Sequence, residues 1–381
     1  MIFERRLLTR DRGAGILEKF WQIPWSFVLL LCAVAAVGYV ALLSAGSGNP
    51  DTYAQKHAIR FGFGLVMMLG LAMIDIRVIA RFAWVGYLGA VALLVLVLLH
   101  GNIGKGAQRW IDVGPVQLQP SELMKIMLVL ALAAWFHRAS WEKVGNPLFL
   151  IPPAIAVLVP VGLILKQPNL GTALITGMIG AAVFWAAGMR WWKFALIFGA
   201  AGVVAPIAYE RLHDYQRARI TTFLDPESDP LGAGYNIIQS KIALGSGGLW
   251  GKGFLQGTQG HLNFLPEKQT DFIFTMIAEE FGLVGALTTL AMLLMIVAFC
   301  YLVAFRSRHQ FGRLLAIGLG TNYFLYVFVN VAMVTGSIPV GGVPLPLISH
   351  GGSAMITVML GFGLLLSAYV HRDAELGPMR E

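Results

Sequence analysis

Residues 82–100 of the chain are FAWVGYLGAVALLVLVLLH, an apolar run without a single acidic residue, lysine or arginine. An α-helix rises about 1.5 Å per residue, so a run of this length spans about 30 Å, the thickness of a bilayer's hydrocarbon core. Similar apolar runs, separated by short polar breaks, follow one another along most of the chain. This stretch predicts a membrane-spanning helix, and its recurrence predicts a protein built from such helices.

The composition excludes a water-soluble protein. Charged residues occupy 13% of the 381 positions and hydrophobic residues occupy 57%, whereas soluble domains are about 25% charged. A soluble globule of this size would lack the polar residues needed to cover its surface. Soluble enzymes, nucleic-acid binders and disordered chains are therefore excluded, and we expect one integral membrane domain over residues 1–381.

The apolar runs predict an all-α polytopic protein with about ten transmembrane helices. The predicted spans are 26–46, 57–75, 82–100, 120–137, 147–165, 169–188, 191–209, 271–303, 313–335 and 350–370. The eighth run is longer than one crossing requires, so we expect it to tilt or to project beyond the membrane.

Basic residues predict how these helices are oriented. Every predicted cytoplasmic break carries at least two Lys or Arg residues, and the outer breaks near 47–56 and 166–169 carry few, as the positive-inside rule requires. We therefore expect a cytoplasmic N-terminal segment at 1–25 and a cytoplasmic tail at 371–381. A large extracytoplasmic loop at 210–270 would separate helices 7 and 8. Its amphipathic stretch from Tyr235 to Leu244 predicts a helix on the membrane surface.

Polar residues near the membrane gather at the predicted outer face, which makes that face the candidate site. The segment QPSELMK at 119–125 begins the fourth helix. Pro120 and Glu122 suit a helix start, and Glu122 with Lys125 forms an i,i+3 ion pair. Lys125 lies about one turn into the membrane, where an isolated ammonium group is costly. The spacing alone leaves a structural and a functional role equally open.

The segment FLPEKQTDFIF at 264–274 leads into the eighth helix. Thr270 or Asp271 could cap this helix, and Asp271 could instead be a proton acceptor or a cation ligand. Two turns further, Glu279 and Glu280 point about 100° apart. We expect one to face an internal polar cavity and the other to meet a hydroxyl or amide of another helix, with a proton relay as the less favoured alternative.

Basic residues of the outer segments predict an anionic ligand, and a diphosphate suits them best because guanidinium and ammonium groups bind phosphate oxygens. The Gly- and Pro-rich apolar segment 336–353 predicts a partly re-entrant loop that lines a groove for an apolar chain, with His350 hydrogen-bonded at the following helix start. Together these features predict a lipid-linked substrate. The basic set is Lys105, Arg109, Lys125, Arg211, Arg217, Arg219, Lys241 and Lys252.

The chain resembles the SEDS (shape, elongation, division and sporulation) family of membrane proteins over about residues 20–372, and the elongation branch of that family more than its division branch. The shared motifs are long and lie in the same order. They are GAQRWID at 106–112, QPSELMK at 119–125, QPNLGTA at 167–173, HDYQRAR at 213–219, LDPESDPLGAGY at 224–235 with its continuation to 259, FLPEKQTDFIF at 264–274, AEEFG at 278–282 and VPLPLISHGGSA at 343–354.

The resemblance implies a ten-helix peptidoglycan glycosyltransferase in the bacterial cytoplasmic membrane. Such an enzyme polymerises lipid II, an undecaprenyl diphosphate-linked disaccharide pentapeptide, during elongation, and a class B penicillin-binding protein and the elongation machinery are its implied partners. The family's essential carboxylate falls on Asp271, its lysine and glutamate on Lys125 and Glu122, and its Arg-Trp pair on Arg109 and Trp110. We expect further substrate contacts from residues near these motifs, namely Lys105, Glu267, Thr270 and Lys241.

The implied reaction is an inverting transfer, which needs a base for the incoming 4-hydroxyl and stabilisation of the departing diphosphate. Asp271 is the candidate base. Lys125 and Arg109, with or without a divalent cation (Mg²⁺ or Mn²⁺) at Asp271, would offset the diphosphate charge, unless Lys125 instead orients Asp271. No organic cofactor is expected. The chain has Gln269 and His350 where many relatives have His and Tyr.

A lipid II flippase is the alternative function. It would require ionisable groups near the mid-membrane and symmetry between the two halves of the chain. The candidate residues instead cluster at one face, and no internal repeat is visible. A non-enzymatic scaffold is a third hypothesis, and it would leave the placement of Asp271 and Lys125 without a purpose.

Overall fold

The structure is a computed structural model. It describes residues 15–104, 107–113, 116–137, 139–210, 217, 221–225, 234–262, 264–374 and 376. The helices are α1 (Ile16–Gln22), α2 (Trp25–Ala45), α3 (Ala54–Met73), α4 (Ile76–His100), α5 (Pro120–Phe136), α6 (Trp141–Gly145), α7 (Pro147–Lys166), α8 (Leu170–Ala186), α9 (Trp191–Glu210), α10 (Tyr235–Ser246), α11 (Thr258–His261), α12 (Ile273–Arg306), α13 (Gln310–Val334) and α14 (Gly352–Val370).

Helices occupy the predicted spans, and their ends differ from the predicted ends by a few residues. Within the described part of the chain, seven helices are long and apolar enough to cross a membrane. A shorter apolar helix, α8, lies among them. The protein is therefore a mostly helical, multi-pass membrane protein. The seven are α2, α3, α4, α7, α12, α13 and α14.

Polar caps explain several helix starts. The side chain of Asp75 accepts a hydrogen bond from the backbone N–H of Arg77 at 2.8 Å where α4 begins. Asn146 and Asn169 cap α7 and α8 in the same way, and Pro120 occupies the first turn of α5. The Asp and Asn side chains satisfy backbone donors that have no partner within the helix, and Pro120 has no N–H group that would need one. Hydropathy marks a span, and such caps determine the residue at which it begins.

The expectation of an all-α protein is wrong for the segment between α4 and α5. Three strands, β1 (Asn102–Gly104), β2 (Ala107–Val113) and β3 (Val116–Leu118), form an antiparallel sheet in the order β1-β2-β3. Strands this short show no clear alternation between two long apolar runs, which is why the sequence pattern missed them. The sheet packs against α4, α5 and α14, so it places β2 beside the N-terminal part of α5.

Helix α12 is broken at Gly282, where φ is +67° and ψ is −165°. Residues beyond α10 pair with the backbone at this break: the N–H of Leu283 donates to Gly248 at 2.9 Å, and the N–H of Gly253 donates to Glu280 at 3.0 Å. The interruption therefore leaves these backbone groups hydrogen-bonded. The long eighth run is two helical segments joined by a kink.

Helices α5 and α13 form the centre of the molecule. They pack against each other, and both also contact α8 and α14. Nearly every side chain of α5 is buried, including Glu122 and Lys125. A helix surrounded by protein is apolar on all sides, so the two charged residues of α5 lie in an otherwise apolar interior.

Helix α10 covers the predicted amphipathic stretch and packs on protein. Its buried residues are Ile237, Ser240 and Ala243. The hydroxyl of Ser240 donates to the carbonyl of Val334 at 2.7 Å and lies 2.9 Å from the hydroxyl of Thr275. This face of α10 is covered by α12 and α13, and the position of the helix on the membrane surface stays a prediction.

Candidate active site

Glu122, Lys125 and Tyr326 form a closed hydrogen-bonded group between α5 and α13. Lys125 Nζ lies 2.8 Å from Glu122 Oε1 and also donates to the Tyr326 hydroxyl, which in turn donates to Glu122 Oε2. The exposed fractions of the three residues are 6%, 1% and 2%. The predicted ion pair is confirmed, and Tyr326 is a member that the sequence did not reveal, because a tyrosine within an apolar run resembles an ordinary core residue.

Burial defines what this group can do. Each charge needs the other, because removing one partner would leave an uncompensated ion in the interior. Lys125 Nζ also lies 4.2 Å from the centre of the Tyr326 ring, a cation–π contact. Next to Tyr326 is a small cavity lined also by Leu347, Ala354 and Met355. The ammonium of Lys125 is covered by protein, and Glu122 and Tyr326 are its partners among the described residues.

Asp271 lies two residues before the start of α12. The helix begins at Ile273, and its N-cap residue Phe272 makes no side-chain hydrogen bond. The N-cap position of α12 is thus Phe272, one residue beyond the two candidates Thr270 and Asp271. Asp271 is partly exposed, and a β-carbon built on Gly342 would lie 3.7 Å from its Oδ2 atom. The carboxylate thus lies beside the Gly- and Pro-rich segment.

Asn330 holds Asp271 against that segment. Its Nδ2 atom donates to the carbonyl of Asp271 at 2.9 Å and to the carbonyl of Val343 at 2.8 Å. The hydroxyl of Ser349 donates to the carbonyl of Thr270 at 2.6 Å. These hydrogen bonds fix the backbone on both sides of the Asp271 carboxylate. Asn330 was not predicted, because nothing in its sequence context indicates which carbonyls it reaches.

Glu267 and Thr270, both predicted substrate contacts, interact with each other. The Thr270 hydroxyl lies 3.0 Å from Glu267 Oε2, to which it donates a hydrogen bond. In the same segment, Lys268 Nζ donates to the carbonyl of Gly260 at 2.7 Å. Burial lowers the pKa of Lys268, because desolvation disfavours its charged form. The segment before Asp271 is thus held by its own polar side chains.

His350 joins the segment before Asp271 to α3. Its backbone N–H donates to Gln269 at 2.8 Å, its ring packs edge-on against Tyr53, and its Nε2 atom lies 3.4 Å from Arg60. Burial, aided by the nearby charges of Arg60 and Lys56, lowers the pKa of His350 to about 4. The expected hydrogen-bonding role is confirmed for its backbone.

The predicted re-entrant segment enters the helix bundle at Gly38 of α2. A β-carbon on Gly38 would lie 2.8 Å from the Cα atom of Ile348, so only glycine permits this approach. Gly38 lies about 10 Å along the helix axis before Ala45, the last residue of α2, so the segment contacts α2 within the helix and not at its end. Leu347 has φ +64°, a conformation that costs about 1–2 kcal/mol. Tertiary contacts hold this strained turn beside the candidate site.

Arg109 and Trp110 lie on β2. The guanidinium of Arg109 donates to the carbonyl of Gln167 at 3.3 Å and to that of Pro168, so it joins β2 to the turn between α7 and α8. The side chains of both Arg109 and Trp110 are partly exposed. Lys105, the third predicted contact in this region, lies outside the described residues.

The other predicted basic residues are spread over several partners. Lys241 of α10 lies against Gly336, because a β-carbon built on that glycine would overlap its side chain. Lys252 Nζ lies 2.7 Å from Glu279 Oε1, and the guanidinium of Arg217 donates to backbone carbonyls of Tyr209 and Glu210. Arg211 and Arg219 lie outside the described residues. The described basic residues already donate N–H groups to protein oxygens. A bound diphosphate would have to compete with those oxygens for the same donors.

Glu279 and Glu280 face different partners, as expected. Glu279 Oε1 accepts hydrogen bonds from Lys252 Nζ at 2.7 Å and from the backbone N–H groups of Thr258 and Gln259 at 2.8 and 3.1 Å. Glu280 accepts a hydrogen bond from the hydroxyl of Ser44 on α2. The predicted hydroxyl partner on another helix is confirmed for Glu280. Glu279 meets a loop segment where a cavity was expected.

Among the residues that the structure describes, no three His, Cys, Asp or Glu side chains converge on one point. Mg²⁺ is commonly held by one or two carboxylates together with substrate phosphates and water. A divalent cation at Asp271 stays a prediction, in which phosphate oxygens of the substrate and water would supply the other ligands.

Sequence comparisons place the chain among known proteins. The family model of the cell cycle proteins FtsW, RodA and SpoVE matches residues 22–374. The peptidoglycan glycosyltransferase MrdB of Escherichia coli K12 is 44% identical over 362 residues, which cover 93% of this chain and 96% of MrdB. The probable peptidoglycan glycosyltransferase FtsW of Idiomarina loihiensis is 34% identical over 347 residues, which cover 88% of this chain and 84% of that protein.

Structural comparisons agree with the sequence comparisons. A chain from a peptidoglycan synthase complex, solved to describe the coordination of polymerization and crosslinking, matches with a TM-score of 0.81 at 31% identity and covers 93% of this chain and 99% of that one. The rod shape determining protein RodA of Thermus thermophilus matches with a TM-score of 0.70 at 28% identity, covering 93% and 98%.

Proposed function

The chain belongs to the SEDS family, the family of FtsW, RodA and SpoVE, and from this membership we propose that it is a peptidoglycan glycosyltransferase. It polymerises lipid II into β-1,4-linked glycan strands by inverting transfer, with release of undecaprenyl diphosphate, in cell elongation and rod-shape maintenance. The 44% identity to MrdB over 93% of the chain supports this activity, and the likeness to RodA supports the elongation role.

One structural observation carries the proposal. Asp271 is partly exposed, and its backbone carbonyl is hydrogen-bonded to Asn330 of α13. One turn earlier on α13, Tyr326 belongs to the buried Glu122–Lys125–Tyr326 group. A partly exposed carboxylate that is joined to the same helix as a buried cationic group suits a reaction that removes a proton and creates a diphosphate anion. A passive scaffold would have no use for this costly arrangement.

Asp271 is the proposed general base. It accepts the proton of the incoming sugar 4-hydroxyl while the oxygen attacks the anomeric carbon and the bond to the diphosphate breaks, so no covalent enzyme intermediate is needed. Arg109 is proposed to bind the diphosphate. Because Lys125 is covered by protein, we assign it the role of a fixed charge that orients the site. Glu122 compensates that charge, and Trp110 lies beside Arg109.

The remaining predicted contacts complete the proposed substrate site. Glu267 and Thr270 shape the segment before Asp271, and Lys241 lies near the end of α13. Lys105 is proposed as a substrate contact because of its position in the sequence, four residues before Arg109. A divalent cation, Mg²⁺ or Mn²⁺, held by Asp271 and diphosphate oxygens would offset charge on the leaving group.

The proposed topology has ten transmembrane helices in the bacterial inner membrane. Residues 1–25 and 371–381 lie in the cytoplasm, and the loop at 210–270 with the active site lies on the extracytoplasmic face. The distribution of basic residues supports this orientation. The proposed partners are a class B penicillin-binding protein, which crosslinks the product, and the elongation machinery. The similarity to a chain of a peptidoglycan synthase complex supports the first of them.

Fluorescent lipid II tests the function directly. The purified protein with its transpeptidase partner should form glycan polymer that is resolved on a gel. Asp271→Asn should abolish polymer formation, because the amide cannot accept the proton. Asp373→Asn is the matched control, since Asp373 is an exposed aspartate after the end of α14, at the opposite end of that helix from the Gly- and Pro-rich segment, and it should retain full activity. Polymerisation by Asp271→Asn at the wild-type rate would show that Asp271 is not the base.

A translocation measurement on the same purified protein tests the flippase hypothesis. If the wild-type protein forms no polymer but moves lipid II across proteoliposome membranes, the protein is a transporter. Glu279 and Glu280 are the ionisable residues that a transporter would use within the membrane. Both are hydrogen-bonded inside the protein, to Lys252 and Ser44 respectively, and this favours the enzyme.

A further inference from the structure

Tyr326 and Asn330 lie on one face of α13. They are four residues apart, so their side chains project in nearly the same direction and are separated by about 6 Å along the helix axis. Tyr326 makes hydrogen bonds with both members of the Glu122–Lys125 pair. One turn further, Asn330 donates to the carbonyl of Asp271. A single rigid helix therefore contacts both charged parts of the proposed site.

We propose that this face of α13 is the positioning element of the transfer site. Tyr326 sets the place of the Lys125 ammonium, and Asn330 sets the place of the Asp271 backbone, so that the distance between base and fixed charge stays constant. This inference rests on the proposed function, since it assigns roles in that same reaction. Both are positioning residues, because they act through Lys125 and Asp271 on the reacting groups.

The hydrogen bonds of Asn330 show why an amide occupies this position. Its Nδ2 group donates to the carbonyls of both Asp271 and Val343. Its Oδ1 atom is buried and has no hydrogen-bond partner among the described residues. A buried acceptor without a partner is costly, so packing alone does not account for this side chain. The two donated hydrogen bonds join the base segment to the Gly- and Pro-rich segment.

Tyr326 has a comparable reason to carry a hydroxyl. The hydroxyl accepts from Lys125 and donates to Glu122, so it closes a ring of three hydrogen bonds. A phenylalanine would fill the same space and remove both interactions. The ammonium would then keep its bond to Glu122 and its contact with the ring, but no hydrogen bond from α13 would set its direction.

The same helix offers matched controls. Tyr323 is 1% exposed and Asn322 is 6% exposed. The hydroxyl of Tyr323 and the Oδ1 atom of Asn322 have no hydrogen-bond partner among the described residues. Tyr323→Phe and Asn322→Ala therefore repeat the chemical changes of Tyr326→Phe and Asn330→Ala about one turn before Tyr326 in α13, at side chains that make no hydrogen bond with Glu122, Lys125 or Asp271 among the described residues.

The test measures kcat and KM for polymerisation of fluorescent lipid II by the full-length protein with its partner, together with the Tm of each variant. Tyr326→Phe and Asn330→Ala should lower kcat about 10- to 100-fold, as a misplacement near 1 Å does. Their KM for lipid II should stay within about twofold of wild type. Tyr323→Phe and Asn322→Ala should keep both constants.

Two results would overturn the inference. In the first, Tyr326→Phe and Asn330→Ala have the kcat of the controls. In the second, all four variants lose activity in proportion to their loss of Tm, which indicates general destabilisation. The proposed function fails separately, if the wild-type protein makes no polymer. An active wild type with an inactive Asp271→Asn and fully active α13 variants would leave the function intact and refute the positioning role alone.

Discussion

Lys252 Nζ lies 2.7 Å from Glu279 Oε1, and this ion pair joins the loop after α10 to α12 just before its break at Gly282. The two partners differ in exposure: the Glu279 side chain is 0% exposed and the Lys252 side chain is 26% exposed. The carboxylate therefore depends on the loop for its donors, whereas the lysine can also reach water.

This difference predicts unequal effects of removing either partner. Lys252→Met leaves a buried carboxylate without its cation and should cost about 3 kcal/mol of folding free energy. Glu279→Gln retains an acceptor oxygen and lets Lys252 turn to solvent, so it should cost about 1 kcal/mol. Thermal unfolding of the purified variants measures the order. Lys143→Met, a change of an exposed lysine, should leave Tm unchanged. A larger loss for Glu279→Gln than for Lys252→Met would contradict this account.

Gly282→Ala should prevent folding. A β-carbon at this position would overlap the backbone nitrogen of Gly251 and the carbonyl oxygen of Leu249, and the backbone there is in the left-handed region. Gly245→Ala on α10 is the control, because its β-carbon would meet open space. Yield and monodispersity on size-exclusion chromatography measure the outcome. Folded Gly282→Ala protein at the wild-type yield would disprove the requirement for glycine.

The Glu122–Lys125 pair allows stability to be separated from activity. Glu122→Gln should lower stability by about 3–5 kcal/mol, because Lys125 then remains as an uncompensated buried charge. The double variant Glu122→Gln/Lys125→Met removes that charge and should recover most of the lost Tm. It should still form no polymer from lipid II, since the fixed cation is absent. Polymerisation by the stable double variant would refute the role of Lys125.

The lowered pKa of His350, about 4 in the folded protein, predicts a loss of stability in acid. An ordinary histidine in the unfolded chain takes up a proton near pH 6.5. Above that pH both states are neutral, and as the pH falls from 6.5 towards 4 the unfolded state binds more protons and gains stability. The Tm should therefore fall more between pH 7 and pH 5 in the wild type than in His350→Tyr. Equal pH dependence of the two proteins would exclude His350 as the cause.

The spans could be predicted from the sequence because length and apolarity are local properties of each run. The same is true of the Glu122–Lys125 pair, since residues three apart on a helix meet whatever surrounds them. Arg109 and Asp271 could be singled out because charges are scarce in this chain. The three-stranded sheet and the break at Gly282 could not be predicted, since each depends on hydrogen bonds to a segment that is identified only when the chain is folded.

The sequence by itself determined that this is a multi-pass membrane protein of the SEDS family, and which few charged residues its chemistry can use. The tertiary structure alone decided how those residues are held: Tyr326 meets Lys125 across 201 positions of sequence, and Asn330 meets Asp271 across 59. The physical reason is that a buried hydroxyl or amide acquires its role from the atoms it contacts, and helix packing determines those contacts.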